Sequence, residues 1–226
     1  MAKRNIVAIG GGGFGRSLGN LKIERYILSL SSHERPKVCF IPTASGDSDL
    51  YKLNYYRAFS QLNCTTSHLD LFKRTNDLEK MIFDQNIIFV GGGNTKSMLA
   101  VWREWNLDII LKKAYKKGII MSGVSAGAIC WFDKGITDSY ADNLRILDCL
   151  GFVKGNACPH FDEESEREPF VNSIIENKII ESCICIEGNC AIHISNEKEI
   201  KSVNFGSDKK SYKLYLQDNN ILKKIY

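Results

Sequence analysis

Ser125 sits in the pentapeptide Gly123-Val124-Ser125-Ala126-Gly127. A short apolar run over residues 119–121 reads as a buried strand leading into it, and residues 126–131 look helical. A G-x-S-x-G stretch between strand and helix is the sequence form of a nucleophile elbow. The turn is so sharp that the positions two before and two after the serine must be nearly free of side chain, and Gly123 and Gly127 meet that need. The chemistry such a serine offers is attack on an acyl carbon. The oxyanion that forms needs donors, and the N–H of Ala126, at the start of the helix, is one candidate. A second glycine turn, Gly91-Gly92-Gly93-Asn94-Thr95, follows the apolar run 86–90. If both runs are strands of one parallel sheet, both turns fall on its carboxyl edge. Gly93 is then the second oxyanion donor, and Asn94 or Thr95 caps the helix that follows.

A serine nucleophile requires a base that takes its proton near neutral pH, and histidine fits best. The chain has four: His33, His68, His160 and His193. His33 lies between a helix and a strand, while His68 and His193 alternate with apolar neighbours inside strands. His160 lies in a loop after the elbow, flanked by Pro159 and Phe161, where it can reach the serine. The third member should be a carboxylate that holds the imidazole tautomer. Asp138 and Glu187 are the candidates. Glu187 is preferred, because it ends the apolar run 179–186 and a sheet would fix its position.

The elements that must position these groups alternate strand and helix. Strands are expected at residues 5–9, 38–41, 67–71, 86–90 and 119–121, with helices at 18–30, 47–62, 78–83, 96–103 and 107–117. Residues 133–156 read as a looser stretch. A helix should run to residue 176, followed by strands at 179–186 and 190–194. Antiparallel pieces at 199–205 and 211–226 have polar turns at 206–208 and 218–220. The expectation is a single α/β domain over residues 1–226, with a mostly parallel sheet, helices on both faces and C-terminal antiparallel additions. The chain has 226 residues, 44% of them hydrophobic, 25% charged, and a net charge of +4. These are globular values. The basic cluster Lys112, Lys113, Lys116 and Lys117 reads as a solvated helix face, so no nucleic-acid partner is expected. No apolar run approaches membrane-spanning length, which excludes a membrane partner, and a cytoplasmic location is expected. The eight cysteines sit mostly in apolar runs and read as free thiols. Cys183, Cys185 and Cys190 lack the spacing of a zinc site.

Gly10-Gly11-Gly12-Gly13-Phe14-Gly15 follows the first strand and contains a G-x-G-x-x-G. The acid that a dinucleotide ribose needs after the second strand is missing, since that strand ends in Pro42-Thr43-Ala44. The run therefore reads as a wide loop shaping a pocket. A nucleotide- or metabolite-binding protein using Gly10–Gly15 and Gly91–Gly93 remains the alternative, as does an esterase of the α/β-hydrolase class.

Four motifs together carry a resemblance: Val90-Gly91-Gly92-Gly93-Asn94-Thr95, Gly123 to Ala128, Pro159-His160-Phe161 and Glu187-Gly188-Asn189. In this order they resemble the peptidase E family of serine peptidases, whose relatives include aspartyl dipeptidases and cyanophycinase. The resemblance implies a fold like class I glutamine amidotransferases, with serine in place of their cysteine. It implies Ser125 as nucleophile, His160 as base, and the N–H groups of Gly93 and Ala126 as the oxyanion hole. The expected substrate is a short peptide, with Asp-X dipeptides as one candidate class and homo-oligomerisation left open. No metal or organic cofactor is implied. Aspartyl dipeptidases carry an arginine after the catalytic histidine that reads the substrate aspartate, and Arg167 is its candidate match. Its acidic neighbours Glu166 and Glu168 depart from the family pattern. Arg167 and Asn94 together form the expected substrate-binding set.

Overall fold

Alternate residues of the first strand face opposite ways, and every one of them is buried. This strand, β1 (Asn5–Ile9), places Ile6 and Ala8 in one apolar cluster and Val7 and Ile9 in another. Burial on both faces is why it reads as a continuous apolar run. The computed structural model describes residues 3–74, 77–206 and 208–226. In chain order β1 is followed by α1 (Lys22–Leu28), β2 (Lys37–Ile41), α2 (Asp49–Phe59), β3 (Thr65–His68), α3 (Leu78–Phe83) and β4 (Ile87–Val90). Then come α4 (Thr95–Glu104), α5 (Leu107–Lys116), β5 (Ile120–Val124), α6 (Ala126–Ile129), β6 (Phe132–Thr137), β7 (Arg145–Asp148) and β8 (Val153–Cys158). The chain continues with α7 (Arg167–Glu176), β9 (Ser182–Ile186), β10 (Cys190–Ser195), β11 (Glu199–Asn204), β12 (Ser211–Gln217) and β13 (Asn220–Ile225).

Among the described residues the strands form two sheets. The first has the order β11-β10-β1-β5-β4-β2-β3. Its β1, β5, β4, β2 and β3 run parallel, and β10 and β11 add antiparallel at one edge. Helices cover both faces. Ile23 and Ile27 of α1 and Tyr55 and Phe59 of α2 pack on one side. Met98 and Trp102 of α4 and Leu107 and Leu111 of α5 pack on the other. The parallel strands meet the next helix at one edge, so the turns after β1, β4 and β5 converge there.

The second sheet was not legible as such. It has the order β13-β12-β9-β8-β6-β7, and three of its strands come from the stretch 133–156 that the sequence pattern presents as loose. Phe132-Asp133-Lys134-Gly135-Ile136-Thr137 and Val153-Lys154-Gly155-Asn156-Ala157-Cys158 carry glycine and charge mid-strand. Glycine and lysine weaken the strand signal. Strand β9 pairs with β8 and β12 in this sheet rather than extending the first. Its inner residues Ile184 and Ile186 share a core with β1 and β5, whereas Cys183 and Cys185 face α7. The expected third strand is shifted to Thr65–His68. The polar turn at 206–208 includes Ser207, which lies outside the described residues. Among the described residues no helix is long and apolar enough to cross a membrane.

Candidate active site

Strand β5 stops at Val124 because Ser125 leaves the strand region altogether, with φ 57° and ψ −113°. Its N–H donates to Ile9 O at 3.0 Å, and its carbonyl accepts from Ala128 N at 2.9 Å. The glycines at either side are required by close backbone approach. A Cβ on Gly123 would collide with the backbone of Gly127, and one on Gly127 with the backbone of Val90. The helix after the elbow is a single turn, α6, ending at Ile129 rather than at residue 131. Its macrodipole is correspondingly small. What the turn does offer is the Ala126 N–H itself, which at the first helical position has no intrahelical acceptor.

His160 follows β8 and is also held at positive φ, 50°. Its N–H donates to Gly10 O at 3.1 Å, which ties this loop to the glycine run after β1. Its Nδ1 lies 2.6 Å from Glu163 Oε2. An ionised carboxylate only accepts, so Nδ1 carries the proton and Nε2 keeps the lone pair a base needs. The other Glu163 oxygen accepts from Arg16 Nη1 at 2.5 Å. Ser125 and His160 line one cavity of about 320 Å³, together with Gly92, Tyr51, Arg16 and Leu50.

The glycine turn after β4 abuts the serine. A Cβ on Gly92 would stand 3.3 Å from Ser125 Cβ. The Gly92 N–H donates to Tyr51 Oη at 3.3 Å. Gly93 has φ 138° and packs its α-carbon against the Ala44 backbone. Asn94 caps α4 as expected, its Oδ1 accepting from Ser97 N at 2.8 Å. Its Nδ2 donates to Ser139 O at 3.2 Å. Both ends of that side chain are thus spent on the fold, and Asn94 is absent from the Ser125 cavity wall.

Three further expectations need correction. Glu187 does not meet His160. Its Oε2 accepts from Lys210 N at 2.8 Å, because β9 belongs to the second sheet and β12 pairs beside it. Asp138 is exposed and lines a different cavity, with Tyr140 and Phe170. Arg167 is 1% exposed. Its Nε donates to Glu164 Oε2 at 2.8 Å and its Nη1 to Ile136 O at 3.4 Å. That guanidinium fastens α7 to the second sheet and is not in the serine's cavity. The residues that sequence reasoning missed are Glu163 and Arg16. The only signals for them were an acid three positions after His160 and a cation directly after the glycine run.

The run itself is filled by the site's own groups. A Cβ on Gly11 would lie 2.7 Å from Glu163 Oε2 and 2.9 Å from His160 Nδ1, and one on Gly12 would lie 2.6 Å from Asn189 Oδ1. The space a pyrophosphate would need is occupied by the loop carrying His160. Seven of the eight thiols are buried and Cys149 is partly so; desolvation pushes those of Cys39 and Cys149 up to about 12. Cys183 and Cys185 point their sulfurs at backbone carbonyls.

A strained serine at the carboxyl edge of a parallel sheet, with a carboxylate-held histidine across the same cavity, is the arrangement that a serine hydrolase requires. Residues 6–202 match the model of peptidase family S51, and the chain belongs to that family of serine peptidases. It is 43% identical over 219 residues to the uncharacterized peptidase YgaJ of Bacillus subtilis (strain 168), covering 96% of this chain and 95% of that one. The fold is similar to that of a solved peptidase from an acI-B1 Actinobacterium, with a TM-score of 0.72 at 16% identity, covering 97% of this chain and 93% of that one. A Listeria monocytogenes EGD-e structure, provisionally named a peptidase E protein, has a TM-score of 0.68 at 21% identity, over 91% of this chain and all of the other.

Proposed function

We propose that this peptidase hydrolyses short peptides through an acyl-enzyme on Ser125. His160 Nε2 takes the hydroxyl proton as Oγ attacks the scissile carbonyl, then gives it to the departing amine. A water, deprotonated by the same nitrogen, releases the acyl group. Glu163 holds the Nδ1–H and stabilises the imidazolium that forms in each step. The oxyanion is met by Ala126 N–H and by the N–H of Gly93 in the glycine turn after β4. The observation that carries this reading is the placement of Ser125 and the Glu163-bonded His160 on one cavity wall. A cavity of about 320 Å³ suits a dipeptide-sized ligand rather than a folded protein. The Asp-X preference rested on Arg167, whose burial against Glu164 removes its support.

The test is a dipeptide panel with varied N-terminal residues, run beside a fluorophosphonate probe. Wild type should turn over at least one dipeptide class and label stoichiometrically at Ser125. Ser125→Ala should do neither, and turnover by that variant would sink the reading.

A further inference from the structure

The glycine run Gly10–Gly15 has no chemical step in the mechanism above beyond anchoring the His160 backbone, yet Arg16 emerges directly from it. We propose that Arg16 is a positioning residue that clamps Glu163 against His160, and that the run exists to present it. The inference rests on the reading of Ser125 and His160 as nucleophile and base.

The Glu163 carboxylate is a bridge. One oxygen accepts from Arg16 Nη1 at 2.5 Å and the other lies 2.6 Å from His160 Nδ1. A glutamate has several rotatable bonds, and this side chain keeps 26% of its surface exposed. Held by the imidazole alone, it can swing into water. A second anchor on its far oxygen leaves one orientation. The Arg16 Nη2 stands 3.4 Å from His160 Nδ1. Both are donors when Nδ1 carries the proton, so this approach is packing rather than a bond. The guanidinium therefore acts on the histidine through Glu163.

Neighbouring charges are otherwise engaged. Asp162 pairs with Lys209, Glu164 with Arg167, and Glu187 with the Lys210 N–H. The backbone behind Arg16 is fixed. Its N–H donates to Gly13 O at 2.9 Å, within a turn where Gly12 has φ 106° and Gly13 φ 73°. The Phe14 N–H donates to the buried carboxylate of Glu24 at 2.8 Å. The Phe14 ring packs against Phe40, Tyr51, Tyr55, Phe59 and Phe89. Gly11 and Gly188 leave the room in which the Glu163 carboxylate lies. An arginine on a rigid stem, aimed at a carboxylate inside a glycine-lined slot, is a supporting group built into the loop.

The experiment compares Arg16→Ala, Arg16→Lys, Glu163→Gln and Arg16→Ala/Glu163→Gln on a dipeptide that wild type cleaves. For Arg16→Ala, kcat and the rate of fluorophosphonate labelling should both fall on the order of ten- to a hundredfold, with KM within about twofold, because a displaced base costs rate rather than binding. Arg16→Lys should recover part of the loss, as should added guanidinium ion with Arg16→Ala. The double variant should be no slower than Glu163→Gln alone, since Arg16 acts through that carboxylate. A raised KM with unchanged kcat, or losses that add, would overturn the proposal. If Ser125→Ala is inactive while Arg16→Ala keeps wild-type kcat, only this inference fails. If Ser125→Ala keeps its activity, the functional reading fails and this one with it.

Discussion

Ser125 is held where an L-residue is uncomfortable. At φ 57° and ψ −113° the backbone stores strain of about 1–3 kcal/mol, kept in place by the Ile9 O bond and by Gly123 and Gly127. Ser125→Gly should therefore abolish turnover yet raise stability by about 1 kcal/mol in chemical denaturation, the relief being partly offset by glycine's larger unfolded-state entropy. A drop in stability would show that the hydroxyl holds the turn. The orienting acid is testable at the same scale. Glu163→Gln should slow acylation by at least about a hundredfold, since the imidazolium loses its anion. Glu187→Gln should stay within about threefold in the same kcat assay, because its carboxylate serves the Lys210 N–H. The meeting of Ser125 and His160 on one cavity was legible because their neighbours are distinctive: glycines at fixed spacing for one, a loop position after the elbow for the other. Glu163 was not, because Glu163, Glu164, Glu166 and Glu168 all lie close in sequence and only the turn geometry after His160 selects among them. Arg167 misled for the converse reason, since its pairing with Glu164 hides a buried structural role behind a surface-like charge pattern.

Elements with a clean pattern, unbroken apolar runs in β1, β2 and β4 and a helical period in α5, lie close to where periodicity puts them. Strands β6, β7 and β8 of the second sheet do not, because β6 and β8 are only partly buried at successive mid-strand positions and their sequences carry lysine, asparagine and glycine there. The loop after β1 and the loop after β8 touch through Gly11. Gly11→Ala should leave the fold intact, since its φ lies outside the left-handed region, but push the His160–Glu163 pair aside and cut kcat by about tenfold or more. Equal far-UV circular dichroism with reduced fluorophosphonate labelling would be the signature. Helix α7 is fastened by Arg167 to Glu164 and Ile136 O. Arg167→Ala should cost about 3 kcal/mol of stability, at the low end because the Glu164 side chain keeps 30% exposure. Its kcat/KM should change by the same factor for Asp-X and neutral-X dipeptides; selective loss on Asp-X would return Arg167 to the substrate site.

At the scale of the whole molecule, acid should loosen the chain in two windows. Burial beside Lys201 and Lys3 pulls the His193 imidazole down to about 4 from its ordinary 6.5. The unfolded chain takes up that proton first, so stability should decline as pH falls from about 6.5 to 4. The Arg4 guanidinium, aided by the Tyr115 hydroxyl, holds Glu197 down to about 2 from 4.5. Its stabilisation is complete above about 4.5 and lost between there and about 2. Denaturation midpoints measured across this range should show a shallower upper slope in His193→Asn and a shallower lower one in Glu197→Gln, where Asp162, paired with Lys209, still contributes. Ser125, the proposed nucleophile, follows a strand of the first sheet, whereas His160, the proposed base, follows a strand of the second, and the two loops meet at the His160 N–H bond to Gly10 O. Neither sheet alone can react with an acyl donor. During refolding from denaturant, reactivity toward the fluorophosphonate should appear no earlier than the core that Ile184 and Ile186 share with β1 and β5. The serine thus becomes a clock for the joining of the two sheets, a non-local step of assembly.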